Sequence, residues 1–277
     1  MLNKKMLQIR AKILYNKKIK GNYFHLVIKA PKIIKESQPG QFLNIKVNDV
    51  YEPLLRRPFS IQRLKGVNIE ILYEVVGKAT EILSHREPGE YLDVIGPLGN
   101  GFNYRLPITD YRLPILVAGG MGVAPLLFLA EKLKVGSMLH VPRSTHVLIG
   151  AKTKNGILCE KEFRDLGYEV KIATDDGSRG FKGKVTELLD KILASRFTLH
   201  ASRSKEHAAC SAQRAALIYA CGPRPMLKEI ARISQRYKIP AQISLEEHMA
   251  CGIGACLGCV VNTKDGFQRV CKEGPVF

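Results

Sequence analysis

Ile115-Leu116-Val117-Ala118-Gly119-Gly120-Met121-Gly122-Val123-Ala124-Pro125 passes from an apolar run through a glycine cluster into the continuation Leu126-Leu-Phe-Leu-Ala-Glu-Lys-Leu133. The apolar start reads as a buried strand, and the segment from Pro125 onward reads as a helix. Gly120 suits a tight turn, Gly122 a close backbone approach to a pyrophosphate, and Pro125 the first turn of a helix. The run only approximates the G-x-G-x-x-G/A dinucleotide pattern, so close packing of strand on helix is an equally plain reading of it.

Downstream, the same alternation repeats. Val147-Leu-Ile-Gly150 and Glu169-Val-Lys-Ile-Ala-Thr174 read as strands, Val185 to Leu193 as a helix, Ala216-Leu-Ile-Tyr-Ala-Cys221 as a strand, and Met226 to Tyr237 as a helix. Fully apolar strands alternating with helices define a parallel sheet covered on both faces. The last strand ends in Cys221-Gly222-Pro223, at the strand end where such sheets bind ligands. Cys221 is either a small buried apolar residue there or a neighbour of a nicotinamide. Asp175 and Asp176 follow the strand ending at Thr174. They offer acceptors to a ribose diol and repel a 2′-phosphate, which favours NADH over NADPH, although Arg179 nearby blunts that argument. Residues 195–213, rich in Ser, Ala and Arg, read as an inserted loop or loose helix of unassigned purpose.

Upstream of Pro107 the pattern is all strand. Met6 to Ile13, Tyr23 to Ile28, Phe42 to Val47, a short strand ending at Ile61, Val67 to Val76, and Tyr91 to Ile95 are separated by turns such as Pro39-Gly40 and Pro88-Gly89. The last of these is expected to stop at Gly96-Pro97. Short strands at this spacing imply a small antiparallel barrel. Within it, Arg56-Arg57-Pro58-Phe59-Ser60 sets a cation, a rigid turn, an aromatic and a hydroxyl in succession. Arg57 can hold a phosphate bidentately, Phe59 can lie against a flat ring and Ser60 can hydrogen-bond. Alone, this stretch is better read as a mere turn after a strand. Gly77-Lys78-Ala79-Thr80 strengthens it, because it reads as an anion-binding helix N-terminus.

The tail carries Cys251, Cys256, Cys259 and Cys271 in the spacing C-x4-C-x2-C-x11-C, with glycines at 252, 254 and 258. C-x4-C-x2-C is the plant-type loop around a [2Fe–2S] cluster, and positive-φ glycines let its N–H groups face an anionic centre. Four thiolates also suit zinc, but zinc sites pair their cysteines in two knuckles and Cys271 stands alone. A cluster moves one electron at a time, so the rest of the chain must supply or take electrons.

The 277 residues allow two ordinary domains and an appendage: an antiparallel β-barrel at 1–106, an α/β parallel-sheet domain at 107–240 and a small C-terminal cluster domain at 241–277. No membrane-spanning apolar run occurs, and the basic N-terminus lacks a signal peptide's apolar region. Seven cysteines, with Cys159, Cys210 and Cys221 widely spaced outside the tail, point to a reducing compartment, the cytoplasm. The formal charge of +18 raises nucleic-acid binding, but the cations are scattered and no nucleic-acid motif accompanies them, so a solvated basic surface is expected.

In this order the motifs resemble the ferredoxin-reductase-type flavoproteins. Pro39-Gly-Gln-Phe42, Leu55-Arg-Arg-Pro-Phe-Ser-Ile61, Gly96-Pro-Leu-Gly-Asn-Gly-Phe102, Cys221-Gly-Pro223 and the run from Ser244 to Phe277 narrow the likeness to the electron-transfer subunits of type B dihydroorotate dehydrogenase. The resemblance covers nearly the whole chain. It implies FAD on the barrel, NADH on the second domain and a [2Fe–2S] cluster in the tail, serving pyrimidine (UMP) biosynthesis. It further implies a catalytic partner subunit carrying FMN, in a heterotetramer of two of each. It carries flavin binding onto Arg57, Pro58, Phe59, Ser60, Leu72, Tyr73, Glu74, Ala79 and Thr80. Relatives often place a basic residue where Glu74 stands.

Transfer between a nicotinamide and a flavin needs alignment and exclusion of water rather than an acid or base, so no side chain is assigned as catalytic. Two rivals remain. One is the diaphorase subunit of a sulfhydrogenase or of a ferredoxin-linked transhydrogenase; the other is a zinc-stabilised binding module on a disused flavin fold.

Overall fold

The computed structural model describes residues 6–104, 113–136, 145–201 and 216–277. The change of pattern at Pro107, Cys210, and the part of 195–213 beyond Ala201 lie outside them. Two compact units emerge, one of residues 1–102 together with 245–277, the other of residues 103–244.

In the first unit, β1 (Leu7–Lys20), β2 (Tyr23–Lys29), β3 (Phe42–Lys46), β4 (Arg57–Ser60), β5 (Arg63–Lys65), β6 (Asn68–Glu74) and β7 (Tyr91–Leu98) form one antiparallel half-barrel sheet in the order β4-β3-β7-β1-β2-β6-β5. Two short helices, α1 (Pro31–Ile34) and α2 (Lys78–Ser84), interrupt it. Alternation along β3 and β6 turns Leu43, Ile45, Ile69 and Ile71 to full burial. The expected stop at Gly96-Pro97 does not occur, and β7 runs on to Leu98. β3 pairs Asn44 with Ile95 but Phe42 with Leu98, so Pro97 sits in a bulge where the ladder asks no N–H of it.

The tail folds onto this sheet as a hairpin of β14 (Val260–Thr263) and β15 (Gly266–Arg269). Cys259, Val261, Val270 and Cys271 share a buried core with Phe42 and Leu98, and Phe277 packs at its margin. Backbone bonds hold the chain end in place: Asn100 N–H donates to Gly274 O at 2.6 Å and Leu245 N–H to Pro275 O at 2.8 Å.

In the second unit, β8 (Leu113–Gly119), β9 (His146–Ala151), β10 (Glu169–Thr174), β11 (Phe181–Lys182), β12 (Ala216–Cys221) and β13 (Ala241–Ser244) make a parallel sheet ordered β11-β10-β9-β8-β12-β13. Its helices are α3 (Val123–Gly136), α4 (Glu160–Asp165), α5 (Val185–Ala201) and α6 (Arg224–Tyr237). Residues 241–244, read from sequence as part of the tail, pair in parallel with β12 as the sheet's edge. The chain leaves β8 toward β9 on one side and returns to β12 on the other, so the strand order reverses between β8 and β12. Crevices at that reversal, beyond the carboxyl ends of the strands, are where open α/β sheets bind ligands. No helix among the described residues is long and apolar enough to cross a membrane.

Candidate functional site

In the barrel, the adjacent arginines divide their work. Arg56 forks onto Asp93, with one N–H to its carbonyl at 2.9 Å and another to Oδ2 at 2.6 Å, and Gln8 adds two bonds of 3.0 Å to the same carboxylate. Burial alone would raise the Asp93 pKa, but these bonds outweigh it and hold the carboxylate below its ordinary value. Arg57 instead donates to the carbonyls of Leu55 and Arg56, at 2.7 and 3.2 Å, and makes no ion pair among the described residues. A half-buried guanidinium without a carboxylate is suited to a phosphate. Phe59 lies differently from expectation. Its ring is only 7% exposed and meets Tyr73 edge-on at 5.8 Å, so it serves the barrel core and offers little face to a flat ring.

Tyr73 is also core. Its hydroxyl donates to Asn16 Oδ1 at 3.0 Å, and burial drives its pKa upward. Leu72 is buried, while Glu74 at the strand end stays partly open. Helix α2 begins at Lys78, so Thr80 occupies its third position rather than its start. The Thr80 hydroxyl accepts from Val76 N–H at 3.0 Å and donates to Gly77 O at 2.9 Å. That hydroxyl closes the turn and also accepts from Gly77 N–H at 3.3 Å, so an anion there would meet the N–H groups of Lys78 and Ala79, which helix geometry leaves without intrahelical partners.

In the second unit, Gly122 has no room for a side chain: a Cβ would lie 2.0 Å from Cys221 O. Gly120 has φ +53° and open space above it. The glycine turn after β8 and the Cys221-Gly222-Pro223 turn after β12 are thereby pressed together at the reversal of strand order. Cys221 is 1% exposed, as a last buried residue of a central strand would be. Beyond the end of β10, Asp176 Oδ1 accepts from the Ser178 hydroxyl at 2.6 Å and its N–H at 2.9 Å. Arg179, expected to blunt the acidic character here, is drawn to Glu160 at 2.9 Å, which Arg164 also contacts.

In the tail, three sulfurs receive backbone N–H groups. Ile253 and Cys256 point at Cys251 Sγ at 3.5 Å, Gly258 at Cys256 Sγ at 3.4 Å, and Cys271 at Cys259 Sγ at 3.4 Å. Burial would raise the Cys251 pKa, but these donors outweigh it and bring it to about 6. Cys271 is pushed up to about 12 by burial and by the bond and charge of Cys259. Among the described residues no three Cys, His, Asp or Glu side chains stand at metal-holding spacing. The thiols pair instead, Cys251 with Cys256 and Cys259 with Cys271. The donor chemistry fits: four sulfurs on one tail, N–H groups aimed at three of them, and Gly252 and Gly254 at φ +71° and +85°.

Sequence reasoning missed the brace on this loop. Arg269 clasps Glu273 with a forked ion pair and donates to Gly254 O at 2.8 Å. The Arg269 fork holds the Glu273 carboxyl down at about 2. The i, i+4 spacing of Arg269 and Glu273 was visible in the sequence, but their loop target was not.

A half-barrel with Arg57 at its edge strand, a parallel sheet with glycine turns at its reversal, and a thiol-rich tail define a ferredoxin-reductase-like fold with an iron–sulfur binding extension. A family model described as the iron-sulfur cluster binding domain of dihydroorotate dehydrogenase B matches residues 246–277, and one for the oxidoreductase NAD-binding domain matches 116–232. The dihydroorotate dehydrogenase B (NAD(+)) electron transfer subunit of Desulforamulus reducens is 40% identical over 274 residues, covering 96% of this chain and 95% of the relative. A homolog of that subunit from Aquifex aeolicus is 38% identical, covering 98% of this chain and 97% of its own. Among solved structures, an NADH-dependent reduced ferredoxin-NADP oxidoreductase matches at TM-score 0.76 and 29% identity, over 96% of this chain and 87% of that one. A ferredoxin NADP+ reductase from Neisseria gonorrhoeae, with bound FAD and NADP, shares the fold at TM-score 0.62 and 15% identity, over 83% of this chain and 91% of its own. The chain belongs to the family of dihydroorotate dehydrogenase B electron transfer subunits. The two matched domains are an iron–sulfur cluster binding domain and an NAD-binding domain, and the zinc-module reading falls away.

Proposed function

We propose that this chain passes electrons between NAD(H) and the FMN of a separate dihydroorotate-oxidising subunit, in a cytoplasmic heterotetramer of two of each. FAD is assigned to residues 1–106, NAD to 107–244, since β13 belongs to that sheet, and a [2Fe–2S] cluster to 245–277, with Cys251, Cys256, Cys259 and Cys271 as ligands. The observation that carries this reading is the packing of the cysteine tail on the same sheet that holds Arg57 and Ser60.

When bound, the flavin joins a two-electron donor to a one-electron acceptor. The protein's part is to hold and align. Arg57 neutralises a phosphate, Ser60 hydrogen-bonds the flavin, the first turn of α2 offers N–H groups, and the turns at Gly120-Met121-Gly122 and Cys221-Gly222-Pro223 seat the nicotinamide nucleotide. Beside the thiols, Ile253 is exposed and Leu257 is 60% exposed, while Phe267 at the hairpin tip is 81% exposed. Apolar side chains around a redox loop suit a partner surface.

The isolated chain is expected to reduce ferricyanide with NADH and to make no orotate from dihydroorotate. Co-expression with the FMN subunit is expected to yield a stable complex that couples dihydroorotate oxidation to NAD+ reduction. Failure of the two to associate, with a hydrogenase or transhydrogenase subunit binding instead, would favour the diaphorase alternative.

Arg57→Ala removes a charge-assisted contact worth about 1.5–3 kcal/mol, so FAD affinity is expected to drop roughly tenfold to a hundredfold. Equilibrium titration of the apoprotein with FAD measures it, and parent-like affinity would remove Arg57 from the flavin site.

NADH is the expected donor. Asp175 and Asp176 would accept from a ribose diol and repel a 2′-phosphate, and Arg179, which could blunt that preference, pairs with Glu160 instead. Ferricyanide assays with the two donors decide this, and equal kcat/KM values would refute the preference.

A further inference from the structure

Asn44 lies in the middle of β3, directly opposite Pro58 of β4 on one side and Ile95 of β7 on the other. Directly opposed residues of an antiparallel pair share a face. Asn44 therefore shares one with Pro58, and Phe42, two residues away on the same face, is opposed to Ser60. Phe42 packs into the core that holds Cys259 and Cys271. One face of the sheet thus carries both the Ser60 hydroxyl and the cysteine tail.

Asn44 stands between them with 0% exposure. Its Nδ2 donates to Cys251 O at 2.9 Å, a bond between residues 207 apart in sequence. The fit is tight from the loop side too, since a Cβ on Gly252 would lie 2.5 Å from that Nδ2. Its Oδ1 is buried and has no partner. As packing, this is a poor choice. A leucine of similar size would bury more apolar surface and strand no acceptor. What the amide does and leucine cannot do is grip the Cys251 carbonyl.

We propose that Asn44 is a positioning residue for electron transfer, fixing the first cluster cysteine against the strand beside the flavin motif. It acts through the Cys251 peptide and keeps cluster and flavin at one spacing, on which the rate of electron tunnelling depends steeply. The inference rests on the assignment of flavin to Arg57–Ser60 and of the cluster to the four cysteines.

The test uses the full chain loaded with FAD and iron–sulfur cluster, as parent, Asn44→Leu and Asn44→Ser. Three quantities are read: the NADH–ferricyanide rate, the single-turnover rate of cluster reduction by NADH, and the electron paramagnetic resonance spectrum of the reduced cluster. In both variants the ferricyanide rate is expected to match the parent. Cluster reduction is expected to slow about tenfold or more, as for other groups that orient metal ligands from behind, and the spectrum to broaden. Loss of iron with FAD retained would support the proposal equally, since the loop would then be unheld. Parent-like cluster reduction and spectra in both variants would overturn it. So would joint loss of FAD, iron and the thermal transition in both, which would make Asn44 a residue of the fold alone. A parent chain whose cluster NADH cannot reduce would instead refute the underlying functional reading.

Discussion

Cys259→Ser is expected to lower the iron content from about two per chain to near none, while the flavin still takes electrons from NADH. Cys259 is buried in the core that Phe42 and Leu98 form with the tail, and its sulfur accepts the Cys271 N–H. A serine hydroxyl is a weaker ligand for iron and a worse occupant of that apolar setting. The loss should therefore exceed that from replacing the exposed Cys256. Iron and sulfide analysis of anaerobically purified protein measures this. Retention of full iron by the variant, or zinc in place of iron in the parent, would refute the ligand assignment.

Gly122→Ala is expected to abolish NADH reactivity while leaving FAD and cluster in place. The new Cβ would stand 2.0 Å from a backbone carbonyl, Cys221 O, which cannot swing aside as a side chain can. The ends of β8 and β12 would have to part, at a cost of about 1–3 kcal/mol or more, and the nucleotide turn would part with them. Gly120→Ala is the contrast. Open space surrounds it, so only the left-handed backbone resists, at about 1–2 kcal/mol. NADH–ferricyanide kcat/KM and thermal melting separate the two variants. A parent-like Gly122→Ala would show that the turn does not seat the nucleotide.

The parallel sheet was readable because its strands are apolar on both faces, so Ile115 to Ala118 and Ala216 to Cys221 announce themselves without any partner in view. The barrel was readable from alternation and turns, but its end was not. A proline normally stops a strand, and only the offset between the Asn44–Ile95 and Phe42–Leu98 pairs shows why Pro97 does not. The four cysteines stood out by spacing, a local property. What sequence could not show were the bonds across long separations: Asn44 to Cys251, Arg56 to Asp93, and Arg269 to the Gly254 carbonyl. Phe59 and Tyr73 marked the flavin region in sequence, yet in the fold their rings pack together in the core. A motif records where a ligand binds without saying which of its side chains reach the ligand.

The first unit is built from both ends of the chain, with residues 103–244 inserted between them. During synthesis Phe42 and Leu98 emerge long before Val261, Val270 and Phe277, which will cover them. At about 5–20 residues per second, that leaves an apolar face open for roughly ten seconds or more after the barrel strands are made. The second unit can fold in that interval, and by drawing residues 103–244 into a compact body it shortens the loop that the tail must close. Cys271 emerges after the strands of both units, so a four-cysteine cluster is completed only once they have been made. A stall late in translation would leave a flavin-ready barrel with a sticky flank, a form for chaperones rather than for electron transfer.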